Sequence, residues 1–248
     1  MIKLERNFTP DFFLRENLSD LTDRFKKDGT PVWHHPEVKE ACLIISNGKC
    51  AFCEVLLEEA STYNEVEHFK DKNSYPDDVI QWENLLPSCR HCNGSKQTHN
   101  VVLDPIINPC HHVPSVHLYM RGYRIRGRTT LGEMTISTLN FNQREHKYIP
   151  RCKAGDVIES SLEDALEKLE WYLHSPTTRR KNILMNMVEA ILDECQKTAQ
   201  FSAVSATILH DSDDYELLKT SMHRHNLWTD YMQELHVNSQ DLRLPDHK

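Results

Sequence analysis

The sequence contains no apolar run approaching the roughly 18–20 residues of a membrane-spanning helix. Its opening residues, MIKLERNFTPDFF, include no apolar stretch of the signal-peptide kind. These absences lead to the expectation of a cytoplasmic protein with reduced thiols. Neither G-x-x-x-x-G-K-[ST] nor G-x-G-x-x-G occurs, which excludes nucleotide binding by those loops. Internal repeats and low-complexity tracts are also missing. Positive charge is in short supply: 29 Lys and Arg stand against 37 Asp and Glu, for a net charge of −8. That balance argues against a free-standing, high-affinity DNA binder.

What is present is 248 residues, 39% hydrophobic and 27% charged, enough to bury a core in one large domain or two modest ones. The average charge conceals an asymmetry. Residues 89–153 hold ten Lys and Arg against three acids, a local +7, while the remainder holds 19 against 34, or −15. A basic stretch of this kind is either a solvated face or a nucleic-acid contact. Its densest part is Arg121, Arg124, Arg126 and Arg128.

Four segments follow from the patterning. Residues 1–46 read as helical, with Phe12, Phe13, Leu14, Leu18, Leu21 and Phe25 at helical spacing and a second short helix over 37–46. Residues 47–105 form a cysteine-bounded module. In residues 106–153, 116–120 and 123–126 alternate around Arg121-Gly122 as a basic hairpin. Thr130-x-x-Glu133 and Asn142-x-x-Glu145 there suggest two capped short helices. Residues 154–248 read as purely helical, with apolar stripes in 160–173, 177–199 and 213–235 that denote core. The fold class expected is mainly α with a small α+β module stapled by zinc.

The eight cysteines of a reduced chain read as metal ligands and buried thiols. Cys50 and Cys53 make one C-x-x-C pair and Cys89 and Cys92 another. Each x2 turn lets two sulfurs converge, so the four suit a tetrahedral structural Zn²⁺. The remaining Cys42, Cys110, Cys152 and Cys195 have no such partner and read as inert thiols. The gap between the pairs exceeds that of a simple zinc ribbon, and the insert holds Glu67-His68 and Asn84. A carboxylate beside an imidazole offers a metal ligand and a general base to one water, although on an isolated strand the two would point to opposite sides. Asn93 directly follows Cys92 and opens NGSK, the expected first turn of a helix. Lys96, one turn later, is either a phosphate ligand or an exposed helix lysine. His91, His99, His111 and His112 read as solvated.

EVEHF followed by WENLLPSCRHCNGSK resembles the motif of HNH (ββα-metal) endonucleases with four-cysteine zinc knuckles, in its H-N-N form. The resemblance implies a general base at His68, ligation of a catalytic Mg²⁺ or Mn²⁺ by Glu67 and Asn93, and an orienting role for Asn84. The family most often has Asp where this chain has Glu67, whose extra methylene moves the carboxylate by roughly an ångström. Asn93, where many members have His, favours a hard, oxygen-preferring ion. The order of elements beyond the module is similar to the small HNH proteins of bacterial antiphage systems, the PtuB family of Septu and retron operons. That resemblance implies a nuclease acting on nucleic acid, with DNA the expected substrate, and a partner in the form of an ABC/SMC-like ATPase of the PtuA kind. Two other readings stay open: a stand-alone restriction-type HNH nuclease, and a zinc-knuckle binding module without catalysis.

Overall fold

A computed structural model describes residues 1–57 and 64–245. Among these, no helix is long and apolar enough to cross a membrane. Two compact units are present: Met1–Leu118 with Ile125–Gln143, and Tyr119–Arg124 with Arg144–Lys248.

The first unit opens with α1 (Asp11–Arg15) and α2 (Leu18–Asp28). The apolar stripe of the sequence spans both, but it is not one helix. Asn17 takes an extended conformation and its side chain accepts from the Asp20 amide, which ends one helix and caps the next. Leu14 consequently points outward at 71% exposure, whereas Phe12 and Phe13 are buried. Gly29, at φ 74°, closes α2 in the left-handed conformation that glycine adopts without steric cost. Helix α3 (Pro36–Ser46) starts with proline in its first turn and His35 accepting from the Glu37 amide. Asn47 and Gly48, both at positive φ, then turn the chain into the first cysteine pair.

Strands β1 (Asn64–His68) and β2 (Leu85–Cys89) pair antiparallel, with Glu67 opposite Leu86 and His68 opposite Leu85. Helix α4 (Arg90–Lys96) follows β2 without a loop. Asn93 therefore lies in the middle of that helix, not in its first turn. Phe12, Phe13, Trp33, Val38, Cys42, Val66, Ile80, Trp82 and Leu85 belong to the core under this layer. Helix α5 (Pro114–His117), strands β3 (Leu118–Arg121) and β4 (Arg124–Gly127), and helix α6 (Thr130–Thr138) come next. The expected hairpin is thus present but starts two residues late, because Pro114 nucleates a helical turn through Val116. Helix α6 is capped by Thr129, whose hydroxyl accepts from the Gly132 amide, so the box expected at Thr130 is displaced by one residue. The Asn142 amide pairs with both the N–H and the carbonyl of Ile125, as a backbone strand would.

In the second unit a π-helical turn, Arg144–Tyr148, runs into α7 (Ile149–His174). It is followed by α8 (Thr178–Asp193), α9 (Ser202–Asp211), α10 (Asp213–Arg224) and α11 (Asp230–Gln240). Leu162 and Leu169 of α7 share one core with Leu184, Val188 and Leu192 of α8, Leu218 and Met222 of α10, and Leu235 of α11. Thr177, Ser212 and Thr229 cap α8, α10 and α11 through their hydroxyls, each contributing about 1 kcal/mol. The single stripe read over 213–235 is interrupted at Asn226, which sits at φ 54°. Helix α9 is buried on nearly all sides and opens with small residues, Ser202 to Thr207, so it shows no stripe to read.

Around α9 and α11, His210 bonds the Ser239 hydroxyl at 2.8 Å, and the Tyr215 hydroxyl meets His236 Nδ1 at 2.7 Å. Burial drives the His210 imidazole down to about 3, with the charges of His236, Arg243 and Lys219 adding to the depression. An unfolded histidine titrates near about 6.5. Between these values the unfolded chain takes up a proton that the folded chain refuses. Stability is therefore full above about 6.5 and is lost as pH falls toward 3. Replacing His210 with Gln should flatten the dependence of denaturant midpoint on pH across that window; parallel curves for the two proteins would reject the assignment.

Candidate metal centre and active site

The four cysteines converge. Their sulfur atoms all lie within 4.8 Å of one another, and those of Cys53 and Cys89 are 3.6 Å apart. Sulfurs on a tetrahedral zinc at about 2.3 Å stand roughly 3.8 Å from each other. The donor set and the spacing both fit a structural metal such as zinc. Local backbone explains the convergence. Cys50 N–H donates to the Val55 carbonyl and Glu54 N–H to the Cys50 carbonyl, with Glu54 itself at φ 66°. Ala51 N–H then bonds the Pro87 carbonyl at 2.9 Å, docking the turn on β2. Burial alone would raise the Cys50 thiol, yet hydrogen bonds from Cys53, Cys89 and Cys92 draw it well below its ordinary value. The thiolate is the form that binds metal.

Helix α4 crosses one face of β1. Residues two apart on a strand share a face and residues three apart on a helix share another. Glu65 and Glu67 thus meet Asn93 and Lys96 in order. Asn93 Nδ2 donates to Glu65 Oε2 at 2.7 Å. Lys96 Nζ pairs with Glu67 Oε1 at 2.5 Å and donates to the His68 carbonyl at 2.9 Å. The side chains of this ion pair are 0% and 4% exposed. Lys96 is neither of the things its sequence position suggested, a phosphate ligand or a solvated lysine: it is a buried counter-ion. Burial pushes the Glu67 carboxyl up to about 7, against the pull of Lys96 and Lys72.

His68 leaves the strand on the other side. Its Nε2 lies 2.9 Å from the Val79 carbonyl. A carbonyl only accepts, so Nε2 carries the proton and Nδ1 the lone pair. The ring meets the edge of Trp33, with centroids 4.5 Å apart and planes at 87°. Burial drives the imidazole down to about 4; the Val79 bond opposes this, and the Lys72 and Lys96 charges add to it. At neutral pH His68 is therefore an uncharged base with one nitrogen fixed.

Glu67, His68 and Asn93 line a common cavity of about 600 Å³, together with Trp33, Glu65, Asp71, Lys72 and Arg90. Asn84 is not at that cavity. Its Oδ1 accepts from Lys70 N–H at 2.7 Å, and its Nδ2 donates to the carbonyls of Lys70 and Asp78 at 3.1 and 3.0 Å. It pins both ends of the loop that presents the Val79 carbonyl to His68. It also lines a separate cavity of about 540 Å³ beside His111 and His112. Arg126 and Arg128, in the first unit, are not among the residues lining the His68 cavity. Arg121 and Arg124 belong to the second unit, where the Arg124 guanidinium stacks on Tyr148 at 4.5 Å.

Sequence reasoning missed Glu65, Trp33, Lys72 and Arg90 as site residues. Glu65 was accessible, since it shares a strand face with Glu67. Trp33 was not, because nothing in the order of residues ties a loop before α3 to a histidine in β1.

No protein-family model matches the chain, and no solved structure matches it. Two curated relatives do. The Septu protein PtuB of Bacillus thuringiensis is 37% identical over 242 residues, covering 97% of this chain and 94% of that protein. The Septu protein PtuB of Bacillus mycoides (strain KBAB4) is 28% identical over 165 residues, covering 53% of this chain and 55% of that protein.

Two outcomes are expected from this geometry. Elemental analysis of the purified chain should find about one tightly held zinc, lost in Cys92→Ser; a folded, metal-free wild type would contradict the four-thiol centre. Lys96→Met, which strands the Glu67 carboxyl in the interior, should cost about 3–5 kcal/mol in urea unfolding. The double replacement Glu67→Leu with Lys96→Met should recover most of that loss, because the uncompensated buried charge is gone.

Proposed function

This chain belongs to the Septu PtuB family, and on that premise we propose that it is a metal-dependent HNH endonuclease that hydrolyses phosphodiester bonds of DNA. Its place is the cutting subunit of a bacterial antiphage defence complex with an ABC/SMC-like ATPase. The observation that carries the reading is the state of His68. An imidazole kept neutral, with Nε2 tied to a carbonyl and Nδ1 left basic, on a cavity with oxygen-donor side chains, is what activation of water requires.

The oxygen donors of Glu67 and Asn93, with Glu65 beside them, fit a hard cation. Bound there, Mg²⁺ or Mn²⁺ supplies positive charge at the scissile phosphate and at its departing 3′ oxygen. The protein's own residues do the rest. His68 Nδ1 takes a proton from the water that attacks phosphorus in line. Trp33 and the Val79 carbonyl hold the ring in one orientation, and Asn84 holds the loop that carries that carbonyl. Because Asn93 donates its Nδ2 to Glu65, its Oδ1 is the atom free to act as a ligand. Lys96 neutralises Glu67 through Oε1 and leaves Oε2 for the cation. The exposed arginines Arg121, Arg124 and Arg126, with the partly exposed Arg128, add contacts to the nucleic-acid backbone that read no sequence.

His68→Ala and Asn93→Ala proteins that keep their zinc should lose about 10²-fold or more of Mg²⁺-dependent plasmid nicking. The wild type should leave 5′-phosphate and 3′-hydroxyl ends. Undiminished nicking by zinc-loaded His68→Ala would remove His68 as the general base, whereas DNA binding by the wild type without any Mg²⁺-dependent nicking would favour a binding module.

A further inference from the structure

We infer that the cavity beside His68 is a binding groove for backbone phosphates, gripped by Lys39, Lys72 and Arg90; this deepens the nuclease reading and rests on it. The argument is a charge inventory of the cavity wall. Each of its carboxylates has a partner within the protein. Glu67 is neutralised by buried Lys96, and Glu65 accepts from Asn93. Asp71 accepts from the Ser74 amide at 2.9 Å and from the Ser74 hydroxyl at 3.0 Å.

The cations of the wall are in the opposite condition. Among the described residues Lys39, Lys72 and Arg90 line the cavity and have no hydrogen bond or ion pair. In a chain of net charge −8, cations without a partner, on a cavity wall whose carboxylates each have one, are suited to an anion. Lys72 is also pre-placed. Its ammonium lies 5.4 Å from the centroid of the Trp33 ring, a buried platform that itself abuts His68. A phosphate held by Lys72 would therefore stand beside the candidate base. Arg90 is the first residue of α4, the helix that also carries Asn93, and its planar fork suits two phosphate oxygens at once. A cavity of about 600 Å³ lies in the range of natural ligand sites. None of the three belongs to the cysteine pairs or to the Glu67, His68, Asn84 and Asn93 set.

The test is anisotropy of fluorescein-labelled DNA, single- and double-stranded, titrated with the zinc-loaded full chain across a salt series and without added Mg²⁺. Lys72→Ala with Arg90→Ala should lower the slope of log K against log salt by about two, near 0.9 per lost contact on duplex DNA. Binding at low salt should weaken by at least about tenfold, while the charge-keeping pair Lys72→Arg with Arg90→Lys should retain the wild-type slope. An unchanged slope in the alanine pair, or a wild-type chain that shows no salt-dependent binding, overturns the inference. The two readings fail separately. Nicking that depends on His68 alongside an unchanged slope removes only the groove, and a reduced slope without any nicking removes only the nuclease.

Discussion

The site depends on four sulfurs meeting at one point. Cys53 and Cys89 are 36 residues apart in the chain and 3.6 Å apart in space. A loop of that length closes at considerable entropic cost, which only a strong interaction offsets. A thiolate-bound metal would supply one, its binding free energy becoming folding free energy. The second cysteine pair straddles the junction of β2 and α4, so closing the cluster also fixes the direction in which α4 leaves the sheet. From that direction follows the laying of α4 across β1, and with it the meetings of Asn93 with Glu65 and Lys96 with Glu67.

The second consequence is electrostatic. A carboxylate with its side chain 4% exposed is unfavourable alone, and Lys96 makes it tolerable. The same ammonium bonds the His68 carbonyl, so one buried cation registers two consecutive strand residues against the helix. On the opposite side of the strand, burial keeps His68 neutral and the Val79 carbonyl chooses its tautomer. Strand alternation thus separates an anionic face from a basic one within two residues. The cavity reaches both because the strand ends at His68.

Much of this was readable in the residues. The x2 spacing of Cys50/Cys53 and Cys89/Cys92 has few uses other than metal binding, because a tight turn is what lets two sulfurs converge. Glu67, His68 and Asn93 share one cavity as their motif suggested. Lys96 was misjudged for a physical reason: RHCNGSK has no apolar stripe, so periodicity offers no clue to which side of the helix is inside. Helix α9 escaped for a related reason, since a helix of small residues buried all round lacks the contrast that reveals a face. Asn142 satisfies a capping box in its sequence context. The tertiary structure instead gives its amide to the backbone of Ile125, seventeen residues earlier.

The sequence by itself determined the donor atoms: four thiols at metal-binding spacing, a carboxylate beside an imidazole, two asparagines, and an acidic chain with one basic stretch. Residue chemistry and short-range spacing are local properties, so the order of residues carries them. Only the tertiary structure decided which charges are matched. Whether Lys96 faces solvent or Glu67, whether Trp33 touches His68, and whether Lys39, Lys72 and Arg90 have partners depend on contacts between residues distant in the chain. Burial sets the strength of each of those contacts, and burial is a property of the folded whole.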